Sequence, residues 1–70
     1  MRLRIRDLRE DADLTQQQMA DYLSCSQSLY SKWERGVRAV PLDIVIKLAD
    51  FYQVSLDYLV GRTDQRKTAE

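Results

Sequence analysis

The stretch Thr15–Gly36, TQQQMADYLSCSQSLYSKWERG, is where the fold is written. It reads as two short amphipathic segments joined by a polar turn. Thr15 can cap the start of the first segment, and Gln18, three residues on, completes a capping box. Leu14 and Met19 stand around that cap in the positions of a hydrophobic staple. Ser26 can cap the second segment, with Cys25 and Tyr30 in the same staple relation. Gly36 supplies the stop, because glycine enters the left-handed backbone region without a Cβ penalty. The spacing therefore predicts helix, short turn, helix.

The second of these helices has two faces. Tyr30 and Trp33, three apart, point to a core. Gln27, Ser28, Ser31, Lys32 and Arg35 fall together on the other side, and that stripe carries no acid. A polar stripe is by default a solvated helix face. This one also suits a DNA groove, where base edges take Gln, Ser and Lys and the phosphate rails take positive charge. Gln27 and Ser28 occupy the first turn, the part of such a helix that meets base edges. Gln27 can bond adenine through N6 and N7, Ser28 can serve either base type, and Lys32 can reach guanine or a phosphate. Leu29 can touch a thymine methyl or pack inward.

Outward from this stretch, residues 2–12 predict a first helix with Ile5, Leu8 and Ala12 on its buried face. Asp13 is suited to the turn that follows. The second helix, 16–23, is expected to bury Met19, Ala20 and Leu23, with the small Ala20 where two helices approach closely. Ser24, Cys25 and Ser26 form the turn, and the third helix spans 27–35. Arg38 lies in the loop beyond it. Pro41 suits the first position of a fourth helix, which runs over 42–52 with Leu42, Val45, Leu48, Ala49 and Tyr52 inward. Ser55 caps a last helix over 56–60, stapled by Val54 and Leu59 and ended by Gly61. The fold class expected is all-α, a compact five-helix bundle over residues 1–61. Residues 62–70 form a polar C-terminal tail that is expected to fray.

Seventy residues make one small domain. No apolar run is long enough to span a membrane, and the charged N-terminus does not read as a signal peptide. A single cysteine cannot form an internal disulfide and fits a reducing cytoplasm. Cys25 reads as a small packed residue, having no Cys or His neighbour. With no histidine, no metal-ligand cluster, no phosphate-binding glycine loop and no nucleophile beside a base, neither an enzyme nor a cofactor or metal is expected.

The net charge is zero and the pI about 6.2, against the basic balance usual in nucleic-acid binders. The distribution matters more. Residues 27–38 carry Lys32, Arg35 and Arg38 against Glu34, a net +2, whereas residues 39–60 carry Lys47 against Asp43, Asp50 and Asp57, a net −2. Non-specific binding should therefore be weak, with affinity dependent on a specific site or on dimerisation. Ile44, Ile46 and Phe51, with Tyr58 and Val60, exceed what a small monomer needs to bury. They suggest a symmetric homodimer through the last helix and the end of the fourth, with Phe51, Leu56, Tyr58, Leu59 and Val60 at the interface.

Taken together, Leu8-Arg9, Leu14-Thr15-Gln16, Met19-Ala20, Leu23, Ser26, Tyr30 to Gly36, Pro41, Lys47-Leu48-Ala49 and Val54 to Leu59 resemble the Xre/Cro-type helix-turn-helix family, which includes the lambdoid phage repressors. The resemblance runs from about Leu3 to Gly61. It implies a lambda repressor-like DNA-binding domain and a sequence-specific transcriptional regulator, a repressor above all. Such a protein binds double-stranded DNA at a pseudo-palindromic operator as a dimer, in a bacterial or phage-derived cytoplasm. It implies that Arg9 pairs with Glu34, that Gln16 contacts a phosphate and braces Gln27, and that Arg38 meets a phosphate from its loop. It leaves room for a second function, a protein-interaction module such as the antitoxin of a toxin–antitoxin pair, with a protein partner. The chain departs from the family pattern at Asp13 and Ser24, where glycine is common. A left-handed Ser24 would cost about 1–2 kcal/mol relative to glycine.

Overall fold

The computed structural model describes residues 3–66, and all regular structure among them is helical. Five helices follow in order: α1 (Ile5–Asp11), α2 (Gln16–Tyr22), α3 (Gln27–Glu34), α4 (Leu42–Tyr52) and α5 (Leu56–Leu59). The all-α, five-helix, lambda repressor-like architecture expected from the sequence is the one found, with α2, a tight turn and α3 as the helix-turn-helix.

Local chemistry sets where most helices begin. The Thr15 hydroxyl accepts from the Gln18 amide at 3.1 Å, and the Gln18 side chain accepts from the Thr15 amide at 2.8 Å, a closed capping box. Ser26 and Ser55 accept from the amides of Leu29 and Tyr58, each at 3.1 Å. Pro41 is the N-cap of α4 rather than its first residue. It lacks an N–H and ends in an extended ψ, which suits the position before the first turn.

The helix ends share one device. At each, the second residue past the last turn donates back across a left-handed residue: Leu14 to the Arg9 carbonyl, Cys25 to Ala20, Val37 to Lys32, Val54 to Ala49 and Arg62 to Asp57. This is the Schellman arrangement, and its left-handed residues are Asp13, Ser24, Gly36, Gln53 and Gly61, with φ between 56° and 82°. Three of the five are not glycine. Gln53 compensates by donating its side-chain amide to the Asp50 carbonyl at 2.6 Å. Ser24 makes no such side-chain bond among the described residues and is exposed. Ser24→Gly should therefore stabilise the domain by about 1 kcal/mol, net of glycine's greater freedom in the unfolded chain. A rise of roughly 4–8 °C in Tm is expected. An unchanged or lower melting temperature would show the strain at Ser24 to be negligible.

The core draws on every helix: Ile5 and Leu8 of α1, Met19 and Ala20 of α2 with Leu23 at its end, Tyr30 and Trp33 of α3, Val45, Leu48 and Ala49 of α4, and Leu59 of α5. Leu14, Cys25 and Val54, the outer halves of the three staples, pack against it half-buried. The chain's entry is tied to its exit: the Arg4 amide donates to the Leu59 carbonyl at 2.9 Å.

Several expectations need correction. The first helix begins at Ile5, after a turn at Arg4, and Ala12 is its exposed C-cap rather than part of the buried face. Leu42 is 70% exposed, because at the first position of α4 it edges only an open groove with Trp33, Val40 and Val45. Leu59, expected at a dimer surface, is fully enclosed in the core. It therefore has no surface to offer a partner. Phe51 and Leu56 remain on the outside at 40% and 42% exposure, while Tyr58 and Val60 are half-buried against the core. Phe51 packs on Tyr22 with ring centroids 4.7 Å apart.

Part of the expected tail is in contact with the domain. The Ser55 amide donates to the Arg66 carbonyl at 2.7 Å, and Arg4 pairs with Asp64 at 2.9 Å. The guanidiniums of Arg4 and Arg66 lie 4.4 and 5.6 Å from the Tyr58 ring centre. The remainder of the expected tail, residues 67–70, lies outside the described residues, as does residue 2 of the expected first helix.

Candidate nucleic-acid interface

The orientation of α3 is set from its inner side. Tyr30 and Trp33 are both buried and meet edge to face, ring centroids 6.4 Å apart. Leu29, half-buried, packs against the same core. With those side chains inward, the helical period turns Gln27, Ser28, Ser31, Lys32 and Arg35 outward. Gln27, Ser28 and Arg35 are exposed, while Ser31 and Lys32 are half-buried. Arg38 is exposed on the loop beyond. Among the described residues, none of these six side chains makes a hydrogen bond or ion pair within the protein. Their donors are free for a ligand.

The acid of this segment goes the other way. Glu34 is buried, its side chain 2% exposed, and Arg9 reaches it from α1. Arg9 donates from Nε to Oε2 at 2.6 Å and from Nη2 to Oε1 at 3.3 Å, a two-pronged contact. Its remaining nitrogen, Nη1, donates to the Leu14 carbonyl at 2.7 Å. One guanidinium thus joins α1, the turn before α2 and the end of α3. Burial by itself pushes the Glu34 carboxyl up, but the hydrogen bonds from Arg9 and Gln16 and the Arg9 charge outweigh it and hold the group below the usual carboxylate range. Burial, and then the nearby Glu34 charge, raise the Tyr30 phenol well above its ordinary value; burial pushes Tyr52 up to about 12. With Glu34 turned inward and neutralised by Arg9, the outward surface of residues 27–38 carries only Lys32, Arg35 and Arg38. Its local charge is +3 rather than the +2 of the whole segment.

Gln16, the first residue of α2, is half-buried, and its amide Nε2 donates to Glu34 Oε1 at 3.1 Å. The bracing it provides therefore falls on the end of α3 rather than on Gln27. The structure brings Gln16, Ser31 and Arg35 together around one polar cleft of about 440 Å³, with Arg6, Arg9 and Glu34 completing its walls. Arg38 does not line this cleft; it borders the apolar groove beside Trp33 and Val40. Arg6 carries no signal in the sequence beyond its i, i+3 spacing to Arg9 on α1, and only the packing of α1 on α3 places it here.

A turn with a left-handed hinge, a second helix anchored by two aromatics, and an outward stripe of free donors are the parts of a DNA-reading unit. The helix-turn-helix family model matches residues 5–59, almost the whole described domain. The chain belongs to the helix-turn-helix family. The likeness to the Xre/Cro-type proteins and phage repressors is borne out by individual relatives. The chain is 39% identical over 61 residues to the uncharacterized HTH-type transcriptional regulator YobD of Bacillus subtilis, covering 87% of this chain and 54% of that protein. It is 34% identical over 67 residues to the HTH-type transcriptional regulator ImmR of the same bacterium, covering 96% of this chain and 53% of ImmR. It is 36% identical over 61 residues to the cryptic phage CTXphi transcriptional repressor RstR of Vibrio cholerae, covering 87% of this chain and 55% of RstR. This helix-turn-helix chain spans about half the length of the curated relatives it matches. Those relatives are named as transcriptional regulators and, for RstR, a transcriptional repressor. No helix among the described residues is long and apolar enough to cross a membrane.

Proposed function

We propose that this domain is the DNA-reading part of a cytoplasmic transcriptional regulator, a repressor, that binds double-stranded DNA with α3 in the major groove. The observation that carries the reading is the outward side of α3. Gln27, Ser28, Ser31, Lys32 and Arg35 have no partner among the described residues, while the acid of that helix is turned in and paired. Gln27 and Ser28 read base edges from the first turn, Lys32 and Arg35 serve base or phosphate further along, Arg38 meets the backbone from the loop, and Gln16 holds the end of α3 in place beside a phosphate. Burying Glu34 removes the repulsion that an outward acid would have for DNA, so a chain with no net charge still offers a cationic face.

The functional unit is a symmetric dimer on a pseudo-palindrome, its two copies of α3 about 34 Å apart. Phe51 and Leu56, flanked by Tyr58 and Val60, supply the contact. Gln27→Ala tests the reading directly. Measured by fluorescence anisotropy against the DNA upstream of its own gene, the variant should lose about 1–3 kcal/mol, roughly 5- to 150-fold in Kd, and should lose more on that duplex than on a scrambled one. Equal loss on both duplexes, or none, would remove Gln27 from base reading. Equal, weak binding of the unaltered protein to both duplexes would remove sequence specificity altogether.

A further inference from the structure

The polar cleft between α1 and α3 has more positive charge than the fold uses. Its walls hold three arginines and one carboxylate. Arg9 is committed to Glu34 and to the Leu14 carbonyl. Arg35 has no partner among the described residues, and the Ser31 hydroxyl donates to none. Among the described residues Arg6 has only a loose contact along its own helix, 3.7 Å from Nε to the Glu10 carboxylate, with both side chains more than half exposed. Such a contact is weak and screened by salt. The cleft is therefore cationic and walled by hydrogen-bond donors, with two guanidiniums still available. Because Ser31 and Arg35 belong both to the cleft and to the outward stripe of α3, the cleft opens where α3 meets its ligand.

We propose that Arg6 and Arg35 together clamp a single phosphate group of the DNA backbone in this cleft, with the Ser31 hydroxyl as a third donor. The proposal rests on the DNA-binding reading above and adds to it a residue of α1. Arginine is the residue suited to this work: its planar fork meets phosphate oxygens through parallel N–H bonds, and it stays charged at every accessible pH. The clamp also has a structural logic. The Arg9–Glu34 pair fixes α1 against the end of α3, so the same bridge that stabilises the fold sets the position of Arg6 relative to Arg35. A phosphate contact carries no sequence information, so the clamp fixes the register of α3 on the duplex without adding to base discrimination.

The test is the salt dependence of DNA binding for the unaltered chain, for Arg6→Ala and for the double variant Arg6→Ala/Arg35→Ala. The control is Arg62→Ala, an arginine whose side chain is 77% exposed and which lies outside the cleft. Each lost phosphate contact should lower the slope of log affinity against log salt by about 0.9. Arg6→Ala should lose about 0.9, the double variant about 1.8, and Arg62→Ala nothing. Arg6→Ala should also keep the unaltered ratio between native and scrambled duplexes, with its thermal melt unchanged. An Arg6→Ala slope equal to that of the unaltered chain overturns the clamp while leaving the DNA reading intact. An equal loss in Arg62→Ala overturns it in favour of a general charge effect. Absence of DNA binding by the unaltered chain overturns both. In that case saturable shifts of the Arg6 and Arg35 side-chain signals on titration with inorganic phosphate would mark the cleft as a site for a free anion instead.

Discussion

Arg9→Ala is expected to destabilise the domain by about 3–5 kcal/mol, the cost of leaving a buried carboxylate without its partner. The side chains involved are 13% and 2% exposed, so solvent cannot replace the lost guanidinium at Glu34. A domain of this size has a total stability of roughly 0.05–0.15 kcal/mol per residue. The variant should accordingly be partly or wholly unfolded at 37 °C, read by far-ultraviolet circular dichroism and thermal melting. The loss has a pH signature. The Glu34 carboxyl is held below its ordinary value by Arg9 and Gln16 against the opposing effect of burial. Its contribution is therefore fully present above the unfolded-state value of about 4.3 and is lost as pH falls through the lower folded value. The gap between the unaltered chain and Arg9→Ala should be widest near neutral pH and narrow below about pH 4. Replacing both partners with apolar residues, Arg9→Met with Glu34→Leu, should recover much of the loss, since no buried charge is then left alone. A neutral-pH melting temperature for Arg9→Ala equal to that of the unaltered chain would show that the pair contributes nothing net.

Leu59→Ala should cost about 2–5 kcal/mol through lost burial and the cavity left behind. Leu59 is fully buried, and its carbonyl receives the Arg4 amide, so it sits where the two ends of the domain are joined. The loss should be the same at every protein concentration, because it concerns the folding of one chain. Phe51→Ala offers the contrast: at 40% exposure, packed on Tyr22, it should cost the monomer's melt less than Leu59→Ala and in addition weaken association followed by sedimentation. A Leu59→Ala protein that melts like the unaltered chain but loses dimer mass would return Leu59 to the interface and refute its place in the core.

The contrast between Leu59 and Leu42 marks where the sequence stops being legible. Both are leucines at apolar helical positions. The sequence assigns Leu42 to the core and Leu59 to a partner; in the fold Leu42 is 70% exposed and Leu59 is sealed. Periodicity says which residues share a face, but not how far along that face the neighbouring helix extends. Gln16 is a similar case. The resemblance has it brace Gln27, whereas its amide donates to Glu34, 18 residues away. Arg6 has no local signal; its place in the cleft comes from where α1 lies beside the end of α3.

Contacts within a single turn are the part of the fold most legible in the residue order. The capping box of Thr15 and Gln18, the caps of Ser26 and Ser55, and the glycine stops at Gly36 and Gly61 all act across about three residues, so side-chain type and spacing specify them without reference to the rest of the chain. With them come the number and order of the helices, the two-faced character of α3, and the family. The rest depends on the packed fold: the inward turn of Glu34 that leaves only positive charges on the outer face of α3, the cleft holding Arg6 with Arg35, the burial of Leu59, and the placement of Arg66 by Tyr58. The two ion pairs that tie distant helices and ends, Arg9 with Glu34 and Arg4 with Asp64, join residues 25 and 60 positions apart. Their existence depends on how helices cross, and crossing is settled by the packing of the whole core at once rather than by any local spacing.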